Sequence, residues 1–200
     1  MNEWEKSRQG YLYDPNDSEI LSKRKKCADL CYELNQCRPS DIGQISRLLR
    51  TIIGSFADDF EITLPFRCDY GFNITMGKNF YSNTNLVILD AAPVVFGSNV
   101  LIGPNCVFTT ATHPLDRVQR NKGLEIAKSI TVGHSVWFGA NVTVLPGVTI
   151  GNNVIIGAGS VVTKSIPDGV IAFGTPCRVI RMITEADRCR YSEAEDPNIC

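Results

Sequence analysis

Two histidines set the limits on the chemistry this chain can do. His113 sits in Thr109-Thr110-Ala111-Thr112-His113-Pro114-Leu115-Asp116, and His134 sits in Val132-Gly133-His134-Ser135-Val136. An imidazole ionises near neutrality and suits a general base. His113 stands where a regular pattern gives way to a polar segment, a place where loops carry function on a rigid scaffold. His134 lies inside the regular pattern next to a glycine, and reads as a structural or exposed corner residue. Other reaction machinery is missing from the sequence. No Gly-x-Ser-x-Gly elbow, phosphate-binding glycine loop or dinucleotide fingerprint is present. A catalytic zinc needs about three protein ligands, so two histidines do not supply a histidine-built centre, and no metal is expected. Cys106 is close to His113 in sequence, but it occupies an inward position of its repeat and reads as core rather than as a nucleophile.

Eight cysteines (Cys27, Cys31, Cys37, Cys68, Cys106, Cys177, Cys189 and Cys200) are scattered along the chain without a Cys-x2-Cys pair. Cys27 and Cys31 share one helix face. With no secretory signal at Met1-Asn2-Glu3-Trp4-Glu5-Lys6, they read as reduced, mostly buried small hydrophobes in a cytosolic protein.

The elements that must position His113 follow from spacing. Every sixth residue from Val132 is apolar: Val132, Phe138, Val144, Ile150, Ile156, Val162. Glycine follows in four of them: Gly133, Gly139, Gly151 and Gly157. Four positions on from each apolar residue come Val136, Val142, Val148, Val154, Ser160 and Ile166. Earlier copies begin at Met76, Phe96 and Ile102. The 96/102 pair is in phase with Val132, whereas the 76/82/88 set is offset by two, which predicts a small insertion near Pro93-Val94-Val95. A period of six belongs to neither a helix nor an ordinary strand. It fits a chain that turns a corner every six residues, three faces closing a triangular coil, with glycine allowing each tight bend. The expected fold is mainly β, a parallel β-helix of hexapeptide repeats over residues 61–183. A helical segment, 1–60, precedes it and a tail, 184–200, follows. Residues 114–129 break the pattern while both flanks keep phase, so they form a loop extruded from one corner.

Within the helical segment, Asp17 or Ser18 caps a helix running to Asn35, with Ile20, Cys27, Cys31 and Leu34 on its apolar face. Pro39-Ser40-Asp41 opens a second helix, striped by Ile42, Ile45, Leu48, Leu49, Ile52, Ile53 and Phe56. The Lys23-Arg24-Lys25-Lys26 run reads as a solvated face. The 200-residue chain has a net charge of −1 and 44% hydrophobic residues. Near-neutral charge removes the electrostatic case for nucleic acid, and no run of 18 apolar residues exists to span a membrane.

The repeats, together with Phe66-Arg67-Cys68-Asp69-Tyr70-Gly71, Asn79-Phe80-Tyr81-Ser82-Asn83-Thr84-Asn85, Thr110-Ala111-Thr112-His113-Pro114-Leu115-Asp116, the stretch from Ile130 to Gly139 and Gly174-Thr175-Pro176-Cys177-Arg178-Val179-Ile180, resemble the maltose/galactoside O-acetyltransferase family, the maltose-type branch most. The resemblance runs from about Trp4 to Arg181. It implies a left-handed β-helix, a homotrimer with active sites between subunits, and direct transfer of acetyl from acetyl-CoA to a sugar hydroxyl such as that of maltose or glucose. His113 then matches the catalytic base, and Asn83 matches the asparagine that contacts acceptor and reaction centre. Trp137, Ala140, Ala158, Thr163, Lys164, Arg178 and Arg181 match positions along the CoA groove. Asp69, Asp90 and Glu125 match candidate acceptor contacts, with Asp14 or Asp17 adding an N-terminal carboxylate. The chain departs from the galactoside branch at Ala91, where that branch has a second aspartate, and at Asp69, where it has serine. The rival readings are acetylation of a non-sugar hydroxylated or amino small molecule, and a non-catalytic β-helix scaffold.

Overall fold

The computed structural model describes residues 1–57 and 59–189. Cys200 and the end of the 184–200 tail lie outside them.

The period of six becomes a triangular coil. The first face carries parallel strands Ser55–Phe56, Ile74–Met76, Val94–Phe96, Ile130–Val132 and Thr149–Ile150. The second carries Phe60–Ile62, Phe80–Ser82, Leu101–Ile102, Val136–Phe138, Val154–Ile156 and Val170–Phe173, closed by the antiparallel strand Arg178–Met182. The third carries Phe66–Cys68, Leu86–Leu89, Val107–Thr109, Thr143–Val144 and Val161–Val162. The six residues in phase with Val132 all point inward, none more than 2% exposed. Phe80, Phe96, Phe108 and Phe138 stack up the interior edge to face, with successive ring centroids 5.2, 5.0 and 5.2 Å apart. Each such contact adds about 0.5–1.5 kcal/mol beyond the area it buries.

The glycines serve a different purpose from the expected one. Gly133 and Gly139 do not make the bends. A Cβ on Gly133 would stand 2.7 Å from the Gly151 carbonyl oxygen, and one on Gly139 would stand 2.6 Å from the Ala158 nitrogen. They are needed because successive coils touch there. The left-handed corner conformation belongs to other residues, mainly asparagines such as Asn79, Asn85, Asn141 and Asn153, which tolerate positive φ better than most side chains. Some of these also ladder between coils: Asn79 Nδ2 donates to Asn99 Oδ1 at 2.8 Å, and Asn85 Nδ2 to Asn105 Oδ1 at 2.9 Å.

His134 belongs to a second ladder, at the corner between the first and second faces. Its Nδ1 accepts from the Ser98 N–H at 2.9 Å, its own N–H donates to Asn152 Oδ1 at 2.8 Å, and the Asn152 N–H donates to Asp168 Oδ1 at 2.8 Å. These bonds support the reading of His134 as a structural, exposed corner residue. His134→Asn, which keeps a side-chain acceptor, is expected to leave turnover within about twofold. His134→Leu orphans the Ser98 N–H and is expected to cost about 1 kcal/mol of stability. Thermal melts and a turnover assay on both variants check this.

Helix α1 (Glu3–Arg8) falls within the expected helical segment, and an Asn2/Glu5 capping box starts it. Helix α2 (Ser18–Asn35) begins at the Asp17 cap and buries Ile20, Cys27, Cys31 and Leu34, as its spacing predicts. Helix α3 (Ile42–Ile52) starts at Asp41 and buries Leu48, Leu49 and Ile52. Its stripe is shorter than expected at both ends. Ile42 is exposed, and Phe56 already lies in the first strand of the coil. The coil thus starts at Ser55, ahead of the boundary expected at residue 60. Gly54 permits this, since a Cβ there would meet the Phe72 backbone at 2.2 Å.

Candidate active site

All the departures from the six-residue period fall at one corner, between the third and first faces. Cys68 to Met76 and Ile88 to Phe96 each span eight positions, where Val144 to Ile150 spans six. Phe108 to Val132 spans twenty-four. The small insertion expected near Pro93-Val94-Val95 is therefore a corner expansion at 89–93, just before the strand that contains Val94 and Val95. A regular coil offers only a tight bend at each corner, and this corner has instead been enlarged three times in succession.

The largest expansion is the expected extruded loop, with more structure than its polar sequence suggested. Ala111–Thr112 pairs antiparallel with Ile126–Ala127, and α4 (Arg117–Asn121) closes the tip under an Asp116 cap. Ala127 is buried. Thr110 anchors the base of this hairpin, its hydroxyl donating to the Leu89 carbonyl at 2.7 Å and accepting from the Ala92 N–H at 3.0 Å. His113 leaves the first hairpin strand, and its Nδ1 lies 2.9 Å from the Leu124 carbonyl oxygen on the returning side. A carbonyl only accepts, so Nδ1 carries the proton and neutral His113 presents Nε2 with a free lone pair. That is the tautomer a general base needs, held by one fixed hydrogen bond.

Glu125, next along, joins the loop to the N-terminal segment. Its backbone exchanges two 3.0 Å hydrogen bonds with Tyr13, and the buried Tyr13 hydroxyl donates to Glu125 Oε2 at 2.5 Å. Half-buried Asp69 belongs to the same electrostatic neighbourhood. Desolvation raises its carboxyl above the usual range, Arg24 pulls it back, and Glu125 pushes it further up. Arg24 is thus a residue the sequence reading missed. Within a run taken as a solvated face, Lys25 and Lys26 are exposed, but Arg24 turns inward and donates to the Pro15 carbonyl at 3.2 Å. Its place on the α2 surface beside Ile20 and Cys27 was the signal available for this. Asp17 is engaged as the α2 cap, and Asp14 Oδ1 accepts from the Asn16 N–H at 2.9 Å.

Asp90 differs from expectation. It is fully buried, so it presents no carboxylate to an acceptor. Its Oδ1 instead accepts from the backbone N–H groups of Asp69 and Tyr70 at 3.0 and 2.9 Å, which makes it the residue that positions Asp69. Oδ2 has no partner among the described residues. Burial pushes its carboxyl up to about 6, and neighbouring Asp69 adds to the rise. The stability it contributes is fully present below the unfolded aspartate pKa and is lost as pH rises through about 6. Asp90→Asn keeps the Oδ1 acceptor without the charge. Its melting temperature should rise relative to the parent between pH 4.5 and 8, by the equivalent of about 3 kcal/mol or less. A pH-independent difference would show that Asp90 does not titrate in this range.

The remaining expected residues lie on other edges. Half-buried Asn83 occupies the corner between the second and third faces. Its Oδ1 accepts from the Thr84 N–H at 2.7 Å, which leaves Nδ2 to donate outward. Ala140 and Ala158 stack at that same corner in successive coils, where the Gly159 N–H donates to the Ala140 carbonyl at 2.8 Å. Trp137 projects from the second face and is 52% exposed, as an outward position requires. Thr163 and Lys164 are exposed at the corner that also carries His113. Arg178 and Arg181 lie on the closing strand, and Arg181 forms a two-pronged pair with Asp187 at 2.6 and 2.7 Å. One chain therefore gathers His113, Asp69 and Glu125 at one edge of the third face and places Asn83, Ala140 and Ala158 at the other.

A triangular coil of six-residue repeats, with an orientated histidine on a hairpin extruded from one corner, defines the hexapeptide-repeat acyltransferases built on a left-handed β-helix. Residues 6–57 match the maltose acetyltransferase hexapeptide capping motif, and residues 129–164 match the bacterial transferase hexapeptide of six repeats. A maltose O-acetyltransferase structure from Clostridium difficile 630 superposes with a TM-score of 0.90 at 40% identity, covering 92% of this chain and 99% of that one. A galactoside acetyltransferase structure in complex with coenzyme A gives a TM-score of 0.92 at 39% identity, covering 96% of both chains. A Saccharomyces cerevisiae protein that carries a provisional acetyltransferase name is 50% identical over 179 residues, 89% of this chain and 91% of its own. The chain belongs to the maltose/galactoside O-acetyltransferase family.

Proposed function

We propose that this acetyltransferase moves the acetyl group of acetyl-CoA directly to a hydroxyl of a sugar such as maltose or glucose, with His113 as general base. The observation that carries this reading is the His113–Leu124 hydrogen bond, which fixes the imidazole with Nε2 as the unprotonated nitrogen at the mouth of the enlarged corner. A sugar hydroxyl is a poor nucleophile while it keeps its proton. Nε2 would take that proton as the oxygen attacks the thioester carbonyl, and would return it to the departing thiolate. Asn83 Nδ2 would donate to the oxyanion that forms, stabilising it without adding charge. The carboxylates of Asp69 and Glu125 would accept hydrogen bonds from the acceptor's other hydroxyls. Binding of coenzyme A by the related galactoside enzyme supports the donor, and the names of the structural relatives support a sugar acceptor.

The same reading carries a homotrimer. Asn83 and His113 stand at opposite edges of the third face, so a site using both is completed by the corner of a neighbouring copy. Trp137, Ala140 and Ala158 would line the pantetheine arm, whereas Thr163, Lys164, Arg178 and Arg181 would meet the anionic end. Arg181 would exchange Asp187 for phosphate. The described cysteines form no disulfide, which fits the cytosolic placement this reading carries.

The test is acceptor-dependent release of free CoA thiol from acetyl-CoA, run with maltose, glucose and galactosides. Turnover with maltose or glucose supports the assignment. Inertness of all three, with acetyl-CoA still bound by calorimetry, would move the acceptor outside the sugars.

A further inference from the structure

Three thiols converge where α2 crosses the base of the coil. Cys27 and Cys31, one helical turn apart, face Cys68 at the inward position of the first third-face strand. Cys27 Sγ lies 3.5 Å and Cys31 Sγ 3.9 Å from Cys68 Sγ, and all three sulfurs fall within 4.8 Å of one another. Each residue is 4% exposed. Buried Cys106, by contrast, has its Sγ 3.2 Å from the Gly139 carbonyl oxygen.

The triangle has the dimensions of a metal site. Metal–thiolate bonds of about 2.3 Å place ligand sulfurs roughly 3.8 Å apart in a tetrahedron and roughly 4.0 Å apart in a trigonal plane. The group has three members among the described residues, with no fourth histidine, cysteine, aspartate or glutamate in it. Nearby Asn35 is closed off, both ends of its amide being bonded to the Phe66 backbone at 2.9 Å. Structural zinc sites are four-coordinate, so a dry three-sulfur triangle suits zinc poorly. Soft thiolates select Cu(I), zinc and iron–sulfur clusters, and three sulfurs fall short of the four ligands that zinc and such clusters take, which leaves Cu(I).

We infer that Cys27, Cys31 and Cys68 form a buried three-sulfur site for a soft monovalent metal ion, with Cu(I) as the fitting ion. Each thiol releases its proton to solvent as its sulfur binds. The bound ion staples α2 to the first turn of the coil, one residue before Asp69. The inference does not rest on the proposed transfer reaction and holds or falls independently of it.

The experiment titrates the reduced, metal-free full chain with Cu(I), anaerobically and against a chromophoric Cu(I) chelator. The expected result is one Cu(I) per chain, a sulfur-to-copper charge-transfer band, a higher melting temperature, and X-ray absorption showing about three sulfur neighbours and no nitrogen or oxygen. Cys31→Ser should weaken binding by more than about 100-fold, beyond the usual cost of losing an outer-shell partner, while Cys37→Ser binds as the parent does. If Cys31→Ser does not fold, Cys27→Ala takes its place, and the parent's spectrum and melting shift decide the matter without either variant. Binding that survives in the Cys31 or Cys27 variant overturns the site. So does a parent with no Cu(I) binding above the chelator's competition, tighter binding of Zn(II) with a nitrogen or oxygen ligand, or a Cys27–Cys68 disulfide in the freshly purified chain.

Discussion

His113→Ala is expected to lower turnover by roughly 100- to 10,000-fold, the range that a positioned general base supplies. The fold should be unaffected, because the His113 side chain is exposed and its hydrogen bond to Leu124 lies at the surface. Acetyl-CoA affinity should stay within a fewfold of the parent's, since the imidazole acts on the acceptor hydroxyl and not on the nucleotide. His113→Gln separates the two functions of the ring. It can still donate to Leu124 but cannot take a proton, and it is expected to be nearly as slow as the alanine variant. Steady-state thiol release and calorimetry on the same preparations measure both properties. Near-normal turnover in either variant would refute the base assignment.

Asn83→Ala carries the second largest expected effect. Removing one preorganised donor to an oxyanion costs about 100- to 1,000-fold in kcat. The loss should fall on kcat more than on KM, because the donor meets full negative charge only in the transition state. Asn83→Asp sharpens the test. The carboxylate can still accept from the Thr84 N–H, as Asn83 Oδ1 does now, yet it presents negative charge where the amide presented a donor. It should be at least as slow as alanine while remaining more stable. If Asn83→Asp were close to the parent in kcat, the amide would be only a corner residue.

Most of the scaffold was legible because its physics is periodic. One apolar side chain every six residues has few architectures to serve, and the interior from Val132 to Val162 follows it without exception. The caps at Asp17 and Asp41 were readable for the same local reason. Two features were harder to read. The glycine pattern was visible, but its cause was not, because the contact between Gly133 and Gly151 is between coils 18 positions apart and nothing local reports it. The second feature was the enlarged corner. Phase slips revealed that residues had been inserted, but only the closed coil shows that the expansions at 69–73, 89–93 and 109–129 stack on one edge.

The candidate site divides in the same way. His113 could be read from its place at the end of a pattern, and its tautomer could not, since that depends on Leu124 across the hairpin. Asp90 shows the limit of matching a residue type to a role. A carboxylate suits a sugar, but this one is sealed under Asp69 and acts on its backbone. Cys68 is the buried free thiol that its sequence suggests, but its two thiol neighbours, like the inward turn of Arg24, were not visible. A charged residue in a charged run and an apolar thiol in an apolar strand both look ordinary until the N-terminal segment folds against the coil. The six-residue period alone does not report that Asn83 and His113 stand at opposite edges of the third face, and the proposed shared site rests on that separation.

The most direct measurement of the central claim is a crystal structure of the assembled protein with CoA and a sugar acceptor bound. The account predicts the reactive hydroxyl about 2.6–3.2 Å from His113 Nε2, the CoA sulfur beside it, and the Asn83 amide of the adjoining copy facing the same centre. A hydroxyl bound at another corner, with His113 Nε2 open to solvent and no neighbouring chain within reach, would contradict it.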